Sequence, residues 1–250
     1  MIEFMKTLIL EAGEELERHA PTVVREKEGT GNWVTKADLA TEQFIVGKIH
    51  SQYPRDFILT EESALADIPD RNSRMWLIDP LDGTTNATLG LPYYGISIAF
   101  MADNKIRSGV ILDVPRRKLY WAERGNGAFF NNTRLEIKDR PLRGSLVATG
   151  APYGREDFRE VHRLMDRIHA SGARLHILGS TVVIAGYVAE GKYSLFYEVG
   201  LKPWDIAAAS LLVEEADGVA RSFEGELDIL HPQTFVCGSK TAVKEFLGLL

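Results

Sequence analysis

The sequence predicts an α/β protein of the α+β kind, organised as two packed lobes, and three observations carry that expectation. Two helical segments come first, turn-separated β runs fill residues 94–137, and strands alternate with helices from 146 onward. The change of rhythm puts the seam near 140–150, giving an N-terminal lobe over residues 1–145 and a C-terminal lobe over 146–250.

Ile2 to His19 reads as an amphipathic helix, with Met5, Leu8, Ile9, Ala12 and Leu16 at helical spacing. Gly29-Thr-Gly31 breaks the chain. Thr35 then opens a second helix, with Asp38 three residues on as its capping-box partner, running to about Ser51 before Pro54. Phe57 to Thr60 and Arg74 to Ile78 are short β-favouring runs, each ending at carboxylates. The β-meander follows: Ser97 to Met101, Ile106 to Leu112 and Lys118 to Trp121, separated by Asp103-Asn104, Pro115-Arg116 and Gly125-Asn-Gly127. The second lobe reads as a strand at Leu146 to Thr149, a helix from about Glu156 to Ala170 and another from about Thr181 to Glu190. A strand at Tyr193 to Tyr197, a helix at Trp204 to Ala216, short strands and a last helix near Thr241 to Leu249 complete it.

The 250 residues carry 35 acidic and 29 basic side chains, a net charge of −6, and 45% of them are hydrophobic. That is enough apolar material for a real core and excludes a disordered or fibrous chain. The negative balance argues against nucleic acid as the main partner, unless metal ions stand between two anions. Cys237 is the only cysteine, so an intrachain disulfide and a cysteine zinc site are excluded, and a small buried apolar role is expected for it. No run approaches the roughly 18 apolar residues of a membrane helix, and Met1 to Ala20 does not read as a signal or transit peptide. The expectation is a cytoplasmic protein with no membrane partner. Asn86-Ala-Thr88 and Asn131-Asn-Thr133 are then chance matches to a glycosylation pattern.

The chemistry concentrates in Trp76-Leu-Ile-Asp-Pro-Leu-Asp-Gly-Thr-Thr-Asn86. A β run delivers Asp79, Pro80 forces a turn, and Asp82-Gly83-Thr84-Thr85 has the composition of a helix start. Two carboxylates three residues apart can converge on one point beside amides that favour an anion. Carboxylates and a phosphate repel each other unless cations separate them, which points to Mg²⁺ and its all-oxygen coordination. The plainer reading of Asp79 and Asp82 is a pair of turn caps. Glu61-Glu62 ends an apolar strand and Asp205 follows Trp204 at the start of an apolar helix, so the acidic positions together read as a ligand set. Competing signatures are absent: there is no H-E-x-x-H, no G-x-S-x-G and no P-loop.

Asp79-Pro-Leu-Asp-Gly-Thr-Thr-Asn86, with Glu61-Glu-Ser63 upstream and Trp204-Asp-Ile-Ala-Ala208 downstream, closely resembles both signatures of the inositol monophosphatase family. Gly127-Ala-Phe-Phe-Asn131 fits the same pattern. The resemblance spans nearly the whole chain and implies a layered αβαβα sandwich of the inositol monophosphatase and fructose bisphosphatase type. It further implies Mg²⁺-dependent hydrolysis of small phosphomonoesters, two to three ions with Mn²⁺ as an alternative, inhibition by Li⁺, and a homodimer.

Carried over by position, the resemblance makes Glu61, Asp79 and the Leu81 carbonyl ligands of one ion, and Asp79, Asp82 and Asp205 ligands of a second. Glu61 would touch a weaker third ion near Asp38. Thr84 would orient the attacking water, with Asp38 polarising its hydroxyl, while the Gly83 and Thr84 amides hold phosphate. Glu198 and Asp205, with Gly179, Ser180 and Thr181, would face the substrate hydroxyls. Lys27 falls where the family often has a basic residue, although a loop lysine is usually just solvated. Within the family, Ala87-Thr88 after the signature is similar to the archaeal dual-specificity branch acting on inositol phosphate and fructose 1,6-bisphosphate, whereas Gly200-Leu-Lys-Pro203 replaces that branch's Arg-bearing loop. Histidinol phosphate and 3′-phosphoadenosine 5′-phosphate are the alternative substrates, and a non-catalytic module that binds a sugar phosphate or a partner is the alternative class.

Overall fold

The computed structural model describes residues 1–26, 33–62, 73–151 and 155–250, the side chains of 155–157 excepted. Gly29-Thr-Gly31, Lys27 and Ser63 lie outside the described residues.

The chain opens with helix α1 (Ile2–Arg18), the ribbon β1 (Val23–Glu26) and β2 (Trp33–Thr35), and helix α2 (Lys36–Gln52). A seven-stranded sheet follows, built from β3 (Phe57–Thr60), β4 (Met75–Asp82), β5 (Gly95–Ala102), β6 (Lys105–Asp113), β7 (Lys118–Glu123), β8 (Gly127–Phe130) and β9 (Thr133–Arg134), in that spatial order. Only β3 and β4 run parallel; the rest is the meander that the turn signals indicate. The short helix α3 (Thr84–Thr88) interrupts it after β4.

The second sheet contains β10 (Leu146–Thr149), β11 (Arg174–Ile177), β12 (Leu195–Val199), β13 (Val219–Arg221) and β14 (Thr234–Gly238), in the order β11-β10-β12-β14-β13. Helix α4 (Arg155–Ala170) joins β10 to β11. Helices α5 (Thr181–Ala189) and α6 (Pro203–Glu215) flank β12, and α7 (Lys240–Leu247) ends the chain.

Strand alternation explains how these parts stack. On β4, Trp76 and Ile78 face α1 and α2, joining the cluster of Met5, Leu8, Ile9, Ala12, Leu16, Ile45 and Ile49. Met75 and Leu77 face the other way, toward α5 and α6, in a cluster that also takes Phe196, Phe235 and Cys237 from the second sheet. Leu195, Tyr197 and Val236 point out of that sheet against Val161, Leu164 and Ile168 of α4 and Val243 and Phe246 of α7. The layers therefore run α, β, α, β, α. Every residue of α5 is buried, as a helix must be when sheets cover both its sides.

Two expectations are corrected. The β4 run does not stop at Ile78; it continues to Asp82, with a register irregularity between Asp79 and Asp82. Pro80 has no amide to give to a ladder, so the strand passes it at a bulge instead of breaking. Strand β12 starts at Leu195, two residues later than the sequence suggests, because Tyr193 stacks on Tyr187 instead of pairing. That shift places Glu198 inside the strand.

Candidate active site

Four element ends converge. Asp38 sits in the first turn of α2, where Thr35 caps the helix and gives its amide to Asp38 Oδ2 at 2.9 Å; the Thr35 hydroxyl bonds the same oxygen. Asp38 Oδ1 lies 3.0 Å from the hydroxyl of Thr84, which also lies 2.9 Å from the Leu81 carbonyl. One hydroxyl proton serves one acceptor at a time. The expected Thr84–Asp38 contact is thus made, and Leu81 shares in it.

The bulge in β4 turns the backbone so that Asp79 Oδ1 accepts the Leu81 amide at 3.0 Å. Glu61 extends β3, its amide bonded to Ile78 O at 3.2 Å, and its carboxylate reaches hydrogen-bonding range of Asp79. Glu42 of α2 accepts the Glu62 amide at 3.1 Å, fixing the end of β3 to the outer helix layer. Asp205 caps its own helix, taking the Lys202 amide at 2.7 Å, with Pro203 in the first turn. Asp82 faces the start of α5: its Oδ2 accepts the Ser180 hydroxyl at 2.5 Å and the Val182 amide at 2.9 Å. Glu198, 8% exposed, has the Thr181 hydroxyl 3.5 Å away. Gly83 follows Asp82 with φ +87°, and a Cβ there would come within 2.7 Å of the Tyr93 carbonyl, so the turn tolerates only glycine.

The electrostatics are one-sided. Burial pushes the Asp38 carboxyl up to about 6, although the hydrogen bonds from Thr35 and Thr84 pull the other way. Burial also holds Asp82 at about 6, opposed by Ser180 and the amides of Val182 and Thr181. Asp79, Glu198 and Asp205 lie well above the ordinary carboxylate range. Burial is the main cause for each, followed by the neighbouring carboxylates, with Lys202 opposing at Asp205. Such a set resists ionisation until positive charge arrives. Among the described residues, no ready-made cage of three or more His, Cys, Asp or Glu side chains is closed around a point. Asp82 and Asp205 each give an oxygen to a backbone amide. The donors are all hard oxygens, the set that suits a small divalent cation.

The described structure brings Asp38, Glu61, Asp79, Leu81, Asp82, Gly83 and Thr84 together with Gly179, Ser180, Thr181, Glu198 and Asp205 of the second half. Ser180 is 2% exposed, and its hydroxyl is committed to Asp82.

A model of the inositol monophosphatase family matches residues 1–248. The chain belongs to the inositol monophosphatase family. Members of this family are metal-dependent phosphatases, in keeping with the oxygen-only donor set. Nus factor SuhB of Pasteurella multocida is 37% identical over 221 residues, 88% of this chain and 82% of that protein. The crystal structure of extragenic suppressor protein suhB from Bartonella henselae superposes with a TM-score of 0.91 at 30% identity, covering 99% of this chain and 96% of that one. SaIMPase-II, crystallised with inositol monophosphate bound, gives 0.84 at 27% identity, covering 98% and 91%. The inositol monophosphatase fold and the layer order found here agree.

Two residues near the site escape sequence reasoning. Asn86 belongs to the signature, yet its role depends on carbonyls 92 and 93 residues downstream. Gly150 ends β10 as an ordinary small residue, but any Cβ on it would fall on the Glu198 carboxylate. The one available signal was the Asn after Thr84-Thr85, a donor-rich side chain in a five-residue helix that needs no cap there.

Proposed function

We propose that this protein is a Mg²⁺-dependent phosphomonoesterase hydrolysing inositol monophosphate, with fructose 1,6-bisphosphate as a second substrate. The observation that carries the reading is the contact of Thr84 with both Asp38 and Leu81, beside carboxylates whose ionisation is suppressed by burial and then by one another. Glu61, Asp79 and the Leu81 carbonyl would hold one ion, Asp79, Asp82 and Asp205 another, and Glu61 with Asp38 a weaker third. When bound, the cations neutralise the acidic wall and the phosphate together and make water nucleophilic at neutral pH.

The chain's own residues do the rest. With the Leu81 carbonyl engaged as a ligand, the Thr84 proton goes to Asp38, and the hydroxyl lone pairs accept from and orient the attacking water. The Gly83 and Thr84 amides face the phosphate, and Glu198 accepts from a ring hydroxyl. Positioning has to dominate, because phosphate monoesters are among the slowest compounds to hydrolyse and general base catalysis alone gives only about 10²–10⁴. For a bisphosphate, the second phosphate would be met by Lys202, which is close enough to act on Asp205, or by an arginine.

The same reading takes residues 1–145 and 146–250 as two lobes, the first giving Asp38 through Thr84 and the second Glu198 and Asp205, in a cytoplasmic homodimer inhibited by Li⁺. Leu89, Leu91 and Ile177 are 63%, 47% and 47% exposed, and β11 is an edge strand of its sheet among the described residues, which supports association with a second copy. No helix among the described residues is long and apolar enough to cross a membrane.

The relatives named Nus factor favour a second reading, a partner-binding module on the same fold. Phosphate release with Mg²⁺ or Mn²⁺ across inositol, fructose, histidinol and 3′-phosphoadenosine phosphates separates the two. Turnover of inositol monophosphate is expected; silence across the panel would favour the module.

A further inference from the structure

The segment 178–182 is gripped on both of its polar sides by the signature loop. Asp82 takes its amides and the Ser180 hydroxyl, at 2.9 Å from Val182 N and 2.5 Å from Ser180 Oγ. Asn86 takes its carbonyls: Nδ2 lies 2.8 Å from Leu178 O and 3.1 Å from Gly179 O, and 2.7 Å from Tyr93 O on the loop behind. The amide carries two hydrogens, so these acceptors saturate it. The backbone of Asn86 is itself held, since its carbonyl accepts the Leu91 amide at 2.8 Å. Gly83 lies between the two grips, so close that a Cβ on it would be 3.2 Å from Gly179 O and from Ser180 Cβ.

A peptide segment held by carbonyls on one side and amides on the other cannot rotate about its own axis. Loosening the carbonyl side would let residues 178–182 roll, carry the amides away from Asp82 and free that carboxylate to swing. The Gly83–Thr84 turn, wedged against the same segment, would loosen with it. We propose that Asn86 is a positioning residue that, through segment 178–182, fixes the direction of Asp82 and the anion turn while touching neither substrate nor ion. The proposal rests on the phosphatase reading only in its kinetic arm.

The test compares Asn86→Asp, the same shape with the donor removed, and Asn86→Ser with the wild type. Arg74→Gln, which breaks the ion pair with Asp56 at 2.7 Å, serves as a purely structural control. Measured are the melting temperature in EDTA, Mg²⁺ affinity and inorganic phosphate affinity in Mg²⁺ by calorimetry at 25 °C, and kcat and KM on inositol monophosphate. Both Asn86 variants should bind Mg²⁺ and phosphate about tenfold more weakly, because removing a part-buried hydrogen bond changes an equilibrium by roughly a factor of ten, and kcat should fall. Arg74→Gln should melt earlier with all affinities unchanged. Asn86 variants that only melt earlier, with wild-type affinities, overturn the proposal. So does failure of both to fold, since the clasp would then hold the fold and not the site. Wild-type protein that binds Mg²⁺ and phosphate without turning over any substrate sinks the phosphatase reading alone, and the binding arms still decide the role of Asn86.

Discussion

Gly150→Ala is the sharpest single perturbation of the substrate wall. A Cβ at residue 150 would stand 1.7 Å from Glu198 Oε1, 2.0 Å from its Cδ and 2.1 Å from Oε2. Ordinary contact begins at 3.4 Å, so the carboxylate has to retreat by about 1.7 Å or the end of β10 has to move. Neither is free, because Glu198 is 8% exposed and lies in a central strand, paired with Phe235. Overpacking of this kind costs about 1–3 kcal/mol. At roughly 2–4 °C per kcal/mol for a chain of this size, melting should fall by about 2–12 °C. On the proposed reading a displaced carboxylate would also lose a hydrogen bond to a ring hydroxyl, worth about 1.5–3 kcal/mol when one partner is charged, which would raise KM for inositol monophosphate roughly ten- to a hundredfold. p-Nitrophenyl phosphate has no such hydroxyl, and its KM should barely move. The decisive assay is the cycle with Glu198→Ala: removing the carboxylate vacates the space, so the double variant should melt no lower than Glu198→Ala alone. Wild-type melting and KM in Gly150→Ala, or additive losses in the double variant, would refute the reasoning.

Asp82→Asn and Asp205→Asn should each abolish Mg²⁺-dependent phosphate release with the circular dichroism unchanged, since the amide oxygen still accepts from Ser180, Val182 or Lys202 but the ligand charge is gone; wild-type turnover in either would void the ligand assignment. Thr84→Ala should lower kcat with KM little changed, Asp38→Asn should do the same, and the double variant should be little worse than either; full activity with only a lower melting temperature makes Thr84 a mere helix residue. The pH profile of the metal-free protein follows from Asp38 and Asp82, both raised to about 6 from 3.8. Between those values these two groups hold more protons in the folded chain than in the unfolded one, so their contribution to stability is fullest below about pH 4 and declines as pH rises through about 6. Thermal melts in EDTA should show that fall, and the gain on adding Mg²⁺ should be larger at pH 8 than at pH 5.5; an equal gain at both would contradict it.

What the sequence determined by itself is what short-range physics writes into it. The Met5, Leu8, Ile9, Ala12 and Leu16 face of α1 is buried as its spacing requires, because the helical period alone lines these residues up on one side. The Thr35 and Asp38 capping box forms between residues three apart, and the turn signals of the meander select antiparallel neighbours. Glu61, Asp79, Asp82 and Asp205 were legible as candidates, since carboxylates at strand ends and helix starts stand out from an apolar background, whereas Glu198, inside β12, was indicated only by the family resemblance. Tertiary structure decided the rest. Arg174-Leu-His-Ile177 alternates polar with apolar over only four residues and is largely exposed, too short a pattern to mark a strand, and it becomes β11 by pairing with Leu146 to Thr149. Pro80 reads locally as a terminator, yet β5 on one side holds β4 together past it. The Ser180 hydroxyl looked free to meet substrate until the fold brought Asp82, 98 residues away, to within 2.5 Å. Asn86 and Gly150 matter through partners 92 and 48 residues downstream, Leu178 and Glu198. Contacts at such separations form only when the two sheets close on α5 and α6, and no local periodicity encodes them.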